Sequence, residues 1–335
     1  MISLNRYFSS HTLRSVGRVL SICSVLSAQV AIANASAATT TGLPGFAELE
    51  LAGAIIGQIR ITPHNVFDLS RVEENNAVYR LANRLHVPTR ADVIARVLLF
   101  KSGQRVSVQK IDETERLLRA SSARYDVEIT PVAYQDGIVD IDVSTRDAWS
   151  LELTGAYSRA GGSTKTAFGL KEKNLFGTGL SAGFSWVSNL DRKGTEFEIS
   201  YPQAFDGWTI IAVERGRFND GTRTSLSIDR PFYSLDTRFA ARGQWSDEDR
   251  IDSIYNTGNI VSQYRHQLRT AEVTAGWSPG FINGWTQRFS AGSLVRDNAY
   301  RDEPGRISPT PLPVDNKVRA LFLRHEVVQD RFLKV

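Results

Sequence analysis

Cysteine is nearly absent from this sequence. Its one copy, Cys23, lies within the first 37 residues, so the rest of the chain can form neither disulfides nor thiolate metal sites. Ile22 stands before it, where a lipid-modification motif wants a small residue, and this argues against a lipoprotein leader. Histidines are few. His64, His86, His266 and His325 are scattered without paired ligand spacing and read as surface or packing residues, so no metal site is expected. No Gly-x-Ser-x-Gly elbow occurs. The stretch GLSAG lacks the lysine and the helix that a phosphate loop needs. After the leader, no apolar run reaches the ~20 residues of a spanning helix. A surplus of one charge is missing too. The net +4 traces to Arg6, Arg14 and Arg18, which stand in a stretch with no acidic residue; without them 37 basic residues face 36 acidic ones. Bulk positive charge for nucleic acid is therefore excluded. No catalytic residue and no cofactor is expected, and the chain is not read as an enzyme.

Residues 1–37 have the pattern of a secretory signal. Arginines precede an apolar run from Val19 to Ala33, and small residues at Ala33, Ala35 and Ala37 suit cleavage. Residues 38–54 read as a linker. From Ser150 to about Arg324 the dominant signal is a period of two. Leu180, Ala182, Phe184 and Trp186 alternate with small or polar residues, as do Phe197, Ile199 and Tyr201 with Glu196, Glu198 and Ser200. Such alternation marks strands with one greasy and one wet face. If the protein enters a membrane, it must do so as strands.

Residues 55–147 are mixed. A first strand holds Ile56, Ile59 and Ile61, and a short helix is expected around Asn75–Leu85. Thr89, with Asp92 three residues on, predicts a capped helix carrying Val93, Ile94, Val97, Leu98 and Phe100 and ending at Gly103. A second helix opens at Ser107, with Ile111, Leu117 and Leu118 toward the core. A hairpin then crosses Gln135-Asp136-Gly137. The order, β-α-α-β-β, defines an α+β domain. This order and the wording TRADVIARVLLFKSGQ…IDETERLLRASSARYDVEI…DGIVDIDVSTRDAW resemble a POTRA (polypeptide-transport-associated) domain of the bacterial surface antigen, or BamA-type, outer-membrane proteins. Matching positions include Ile94, Leu98, Phe100, Gly103, Glu115, Arg116, Leu118, Asp126, Val127, Gly137, Val139 and Val143. Within GLKEKNLFGTGLSAGFSW, the residues Asn174, Leu175, Phe176, Gly177 and Gly179 resemble that family's early barrel turn. The resemblance implies a periplasmic POTRA domain ahead of an antiparallel transmembrane β-barrel in the Gram-negative outer membrane.

The barrel reading of residues 148–335 also stands on the residues themselves. Strands are expected near 150–158, 165–171, 178–187, 194–201, 208–217, 222–229, 236–245, 269–278, 286–295 and 317–325. Many approach the ~9–11 residues that cross a bilayer when tilted. Short connections carrying Pro, Gly or aromatics (173–178, 202–207, 231–235, 278–285) alternate with polar ones, two of them long (246–268 and 296–316), as in outer-membrane barrels. Trp186, Trp208, Trp245, Trp277 and Trp285 fall near the expected strand ends, where an aromatic girdle belongs. Asp247, Glu248, Asp249 and Asp252 read as a solvated loop without EF-hand spacing. The resemblance implies roughly sixteen strands. The segment Arg331–Val335 has no terminal aromatic, and the family's late Val-Arg-Gly-Phe/Tyr motif is missing, so an incomplete barrel is expected.

The expected role is insertion, assembly or translocation of polypeptides at the outer membrane, without nucleotide. One variant is a dedicated two-partner secretion translocator. Partners would be outer-membrane lipid, an unfolded or secreted polypeptide client and accessory periplasmic proteins. The candidate client-binding element is the strand Tyr125, Asp126, Val127, Glu128, Ile129 and Thr130, which would accept an extended chain by strand addition if it lies at a sheet edge. The alternative is a passive outer-membrane pore or surface antigen, with Glu196, Glu198, Arg215 and Arg217 lining a lumen.

Overall fold

The computed structural model describes residues 42–121, 124–160, 163–205 and 207–330. The expected signal, residues 1–37, and the segment 331–335 lie outside them. The described chain is an α+β module followed by one large antiparallel sheet. Among the described residues no helix is long and apolar enough to cross a membrane, which says nothing of strands.

The module runs α1 (Phe46–Leu51), β1 (Ile55–His64), α2 (Ala77–Leu85), α3 (Ala91–Ala95), α4 (Val108–Ala120), β2 (Arg124–Gln135) and β3 (Ile138–Asp147). Its sheet has the order β1-β3-β2, with β1 parallel and β2 antiparallel to β3. The turn between β2 and β3 places Asp136 and Gly137 at φ of 52° and 79°, a conformation that Asp and Gly tolerate and that matches the strand twist. On β3, Val139, Ile141, Val143, Thr145 and Asp147 are buried at every second position. The three valines and isoleucines among them join Ile56, Ile94, Phe100, Ile111, Leu118 and Val127 in a dry core.

Two expectations need correcting here. Residues 38–54 are not all linker: 46–51 form a helix, and Leu49, fully buried, belongs to the core. Thr89 does not cap α3. The cap position is Arg90, whose side chain makes no capping hydrogen bond to the helix amides, and the helix ends at Ala95 rather than near Gly103. The reason is competition. The amide and hydroxyl of Thr89 donate to Asp147 instead, and the Leu99 amide leaves the helical ladder to donate to Thr114 Oγ1.

The large sheet contains β4 (Leu151–Ala160), β5 (Ser163–Leu175), β6 (Leu180–Ser188), β7 (Lys193–Ala204), β8 (Thr209–Phe218), β9 (Gly221–Arg230), β10 (Phe239–Asn256), β11 (Asn259–Trp277), β12 (Phe281–Ile282), β13 (Trp285–Asp302) and β14 (Asn316–Gln329). Consecutive strands pair in order, with β13 beside β11; the two-residue β12 folds onto the foot of β13. The sheet is not closed: β4 and β14 are its two edges. Each of the ten expected strand regions falls on one of these strands. The long polar loops do not exist as expected. β10 and β11 zip together as far as Asn256 and Asn259, and β13 runs on to Asp302. Period-two hydrophobicity vanishes there because both faces are polar. The strands persist through pairs such as Arg265–Glu303 at 2.7 Å and Asp252–His266 at 2.7 Å. The acidic residues assigned to a loop are thereby divided: Asp247 and Glu248 are neighbours on β10 and point to opposite faces.

Register fixes the faces, because directly paired residues share one. Leu153, Leu170, Phe184 and Phe197 form one cross-strand row; Ile199, Val213, Leu226 and Trp245 form the next. This is the apolar face, and Leu153, Phe197, Val213 and Val273 are exposed on it. The opposite face is polar, with Lys171 paired to Glu198, and Glu214 to Arg223 at 3.2 Å. Glu196 pairs across with Gly216 and Glu198 with Glu214, whereas Arg215 faces Phe197 and Arg217 faces Thr195. The four residues suggested for one lumen therefore divide between two faces. Two tryptophans depart from the expected girdle. Trp245 sits inside an 18-residue strand. Trp208 stacks on Tyr233 at 4.1 Å and packs against the module's core.

Candidate functional site

Two sequence motifs were candidates, and the structure puts them in different places. The first, Tyr125–Thr130, lies on β2, an edge of the module's sheet. Val127 and Ile129 are buried, while Asp126 and Glu128 are exposed. This edge is partly engaged. The Val127 amide donates to Asp126 Oδ1 at 2.8 Å, and the Val127 carbonyl accepts from the Arg119 guanidinium at 2.7 Å. A charged side chain laid across a free edge is a common way of keeping it from indiscriminate pairing. Arg119 comes from the last turn of α4 and is held by Glu115.

The second motif, Asn174–Gly179, is the turn between β5 and β6, and it docks on the module. Asn174 is buried; its Nδ2 donates to Thr89 Oγ1 at 2.8 Å, and its Oδ1 accepts from the Gly179 amide at 2.8 Å. The Gly177 carbonyl accepts from the Arg90 amide at 3.0 Å. Gly177 has φ of 69°, and a Cβ there would stand 2.2 Å from the Pro88 carbonyl oxygen. Only glycine permits both the turn and this approach. Leu175 carries the carbonyl that Thr178 Oγ1 binds at 2.7 Å, and Phe176, at φ of 57°, is left exposed.

Thr89 links this turn to a buried polar chain that the sequence reading missed. Asp147, fully buried, accepts from the Thr89 amide at 2.6 Å and the Thr89 hydroxyl at 2.8 Å, and lies 2.9 Å from His86 Nε2. A signal for it existed: Asp147 continues the buried phase of β3. Two further turns complete the joint. Gln203, near the end of β7, donates from Nε2 to the Val93 carbonyl at 2.9 Å. Glu113 of α4 accepts from the Leu235 amide at 2.7 Å in the turn after β9, and burial pushes its carboxyl above the usual range. Between module and turns lies a cleft of about 450 Å³, walled by Val93, Val97, Leu117 and Trp208 on one side and Lys171, Lys173 and Asn174 on the other. Among the described residues no group of three or more His, Cys, Asp or Glu side chains is placed to hold a metal ion.

The arrangement is thus an α+β module seated on the short-turn end of an open antiparallel sheet, with an edge strand presented beside the seat. No family model and no curated protein matches the sequence. Solved structures do. BamA from Haemophilus ducreyi lacking POTRA domains 1–3 matches at 12% identity and a TM-score of 0.41, over 76% of this chain and 57% of that one. CdiB from Acinetobacter baumannii matches at 11% identity and a TM-score of 0.28, over 83% of this chain and 74% of that one. The chain thus spans just over half the length of the first.

Proposed function

We propose that this protein is an outer-membrane β-barrel protein of the POTRA-barrel superfamily, taking part in insertion, assembly or translocation of polypeptides at the outer membrane of a Gram-negative cell. The observation that carries this reading is an inversion of burial. Of the eighteen buried apolar residues among those described, sixteen lie in the module, between Leu49 and Val143. The other two, Ala204 at the end of β7 and Leu235 in the turn after β9, sit at the module's seat. Among the described residues the sheet has no dry core and leaves the large side chains of its apolar face exposed, which suits acyl chains and not water. The module would then stand in the periplasm, at the short-turn end. Client chains would be received along β2 by strand addition, and the free energy would come from client folding and burial of apolar surface.

This reading treats Arg119 as a latch on the edge. Arg119→Ala should increase cross-linking of an extended, unfolded outer-membrane polypeptide to residues 126–130, and deletion of 55–146 should abolish client handling. Cross-linking in Arg119→Ala equal to that of the unaltered chain would remove β2 as the receiving edge. The polar, ion-paired face of the sheet supports the second reading, a passive pore or surface antigen. Single-channel conductance that survives the deletion, with no client handling by the intact chain, would favour it.

A further inference from the structure

The apolar face does not end at random. Following each long strand from the short-turn end, the first charge met beyond the apolar residues of that face is Arg159 on β4, Lys193 on β7 and Arg215 on β8. Further along it is Asp247 on β10, Arg269 on β11, Asp297 on β13 and Arg319 on β14. Arg215, Asp247, Arg269, Asp297 and Lys317 occupy one continuous cross-strand row, joined through Thr224. In that same row β4 to β7 still carry Leu153, Leu170, Phe184 and Phe197. The boundary thus climbs stepwise across the sheet toward β4, as a level plane does when it cuts tilted strands.

Five of these seven first charges are cations. Both carboxylates are already neutralised, Asp247 by Arg269 at 3.2 Å and Asp297 by Lys317 at 3.4 Å. Arg159, Lys193, Arg217 and Arg319, all exposed, make no ion pair among the described residues. The short-turn end of the same face is different: its charges are Glu172, which accepts from the Asn174 amide, and Arg230, and they cancel. Positive charge therefore gathers at one rim only.

We propose that this rim is a binding surface for phosphate-bearing lipid head groups of the leaflet next to the hairpin tips. The inference rests on the membrane reading above and adds a partner to it. Guanidinium forks match phosphate oxygens bidentately. Arg159, Arg215 and Arg319 follow directly on Tyr157, Val213 and Leu321 of the band, and Lys193 reaches over the Trp186 ring, so one lipid molecule can place acyl chains on the band and its phosphate on the rim.

The test uses the full chain in nanodiscs of phosphatidylcholine with a minor fraction of a phosphorylated glycolipid, and in a second set its dephosphorylated form. Lipids retained by the protein are counted by native mass spectrometry, and a heat-dependent gel shift reports folding. The chain should enrich the phosphorylated form over the dephosphorylated one. A variant with Arg159, Lys193, Arg217 and Arg319 all changed to Gln should lose that enrichment, by up to roughly fivefold per cation, while Arg230→Gln keeps it. A folded, inserted chain with no enrichment, or a quadruple variant that keeps it, overturns the lipid surface and leaves the membrane reading standing. A chain that integrates into neither bilayer overturns both.

Discussion

The module and the sheet follow opposite rules for leucine. In the module Leu118 is fully buried against Ile111 and the β3 valines, whereas Leu321 on β14 is 87% exposed. One region excludes water from a core of its own. The other has no dry core of its own among the described residues, and on the reading proposed above its apolar face meets a second solvent. Identical substitutions should separate the two. Leu118→Ala leaves a cavity and should cost about 2–5 kcal/mol of module stability, read as a lower melting temperature in any detergent or lipid. Leu321→Ala should change nothing in the module; in a bilayer it should weaken the folded sheet by roughly 2 kcal/mol, the transfer value of the lost carbons, read from urea-dependent loss of the heat-shifted band. Equal effects of the two changes in lipid and in aqueous buffer would refute the two-solvent description.

That contrast was legible in the sequence because it is written in periodicity. Phe184 and Trp186, or Val139 and Val143, declare a strand face whatever covers it. The seat between the regions was less legible. The turn at Asn174–Gly179 stood out by its glycines, but its partner at Pro88–Arg90 could not, since the 85 positions that separate Thr89 from Asn174 carry no record of contact. Thr89 illustrates the loss: locally it reads as a cap, and only the buried carboxylate of Asp147 draws it elsewhere. The tall hairpin of β10 and β11 was missed for the opposite reason. Where both faces are wet, alternation is silent, and side-chain pairs such as Asp252–His266 support the backbone ladder in place of an apolar face.

The joint itself is the next way to sharpen the comparison, because it is polar where both of its neighbours are apolar. Asp147→Asn keeps the shape but turns an amide donor toward groups that already donate, the Thr89 amide and hydroxyl. A buried donor left without an acceptor costs about 1–3 kcal/mol. The expected outcome is faster proteolytic cleavage around residues 86–90, with the sheet's heat-dependent gel shift preserved. Cleavage rates equal to those of the unaltered chain would mean that the seat is held without the Asp147 carboxylate.

Glu113 offers the smallest effect and the one with a definite sign in pH. Its carboxylate is buried against the Leu235 amide, with Asp236 and Asp330 nearby opposing its charge and Arg116, 3.5 Å away, favouring it. Burial is the largest influence and raises its pKa in the folded chain. The folded state therefore holds this proton more tightly than the unfolded state. Its contribution to stability is fully present below the ordinary glutamate pKa and is lost as pH rises through the raised folded value. Docking of α4 on the 231–238 turn should tighten as pH falls from neutrality toward that ordinary value, seen as greater protection of the Leu235 amide relative to its intrinsic exchange rate at each pH. Glu113→Gln retains an acceptor for that amide and removes the charge. It should slow exchange at neutral pH and flatten the dependence. If protection at Leu235, taken relative to the intrinsic exchange rate at each pH, still rises on acidification in the glutamine variant as it does in the parent, the pH response belongs to another group, and the seat is held without regard to the protonation of Glu113.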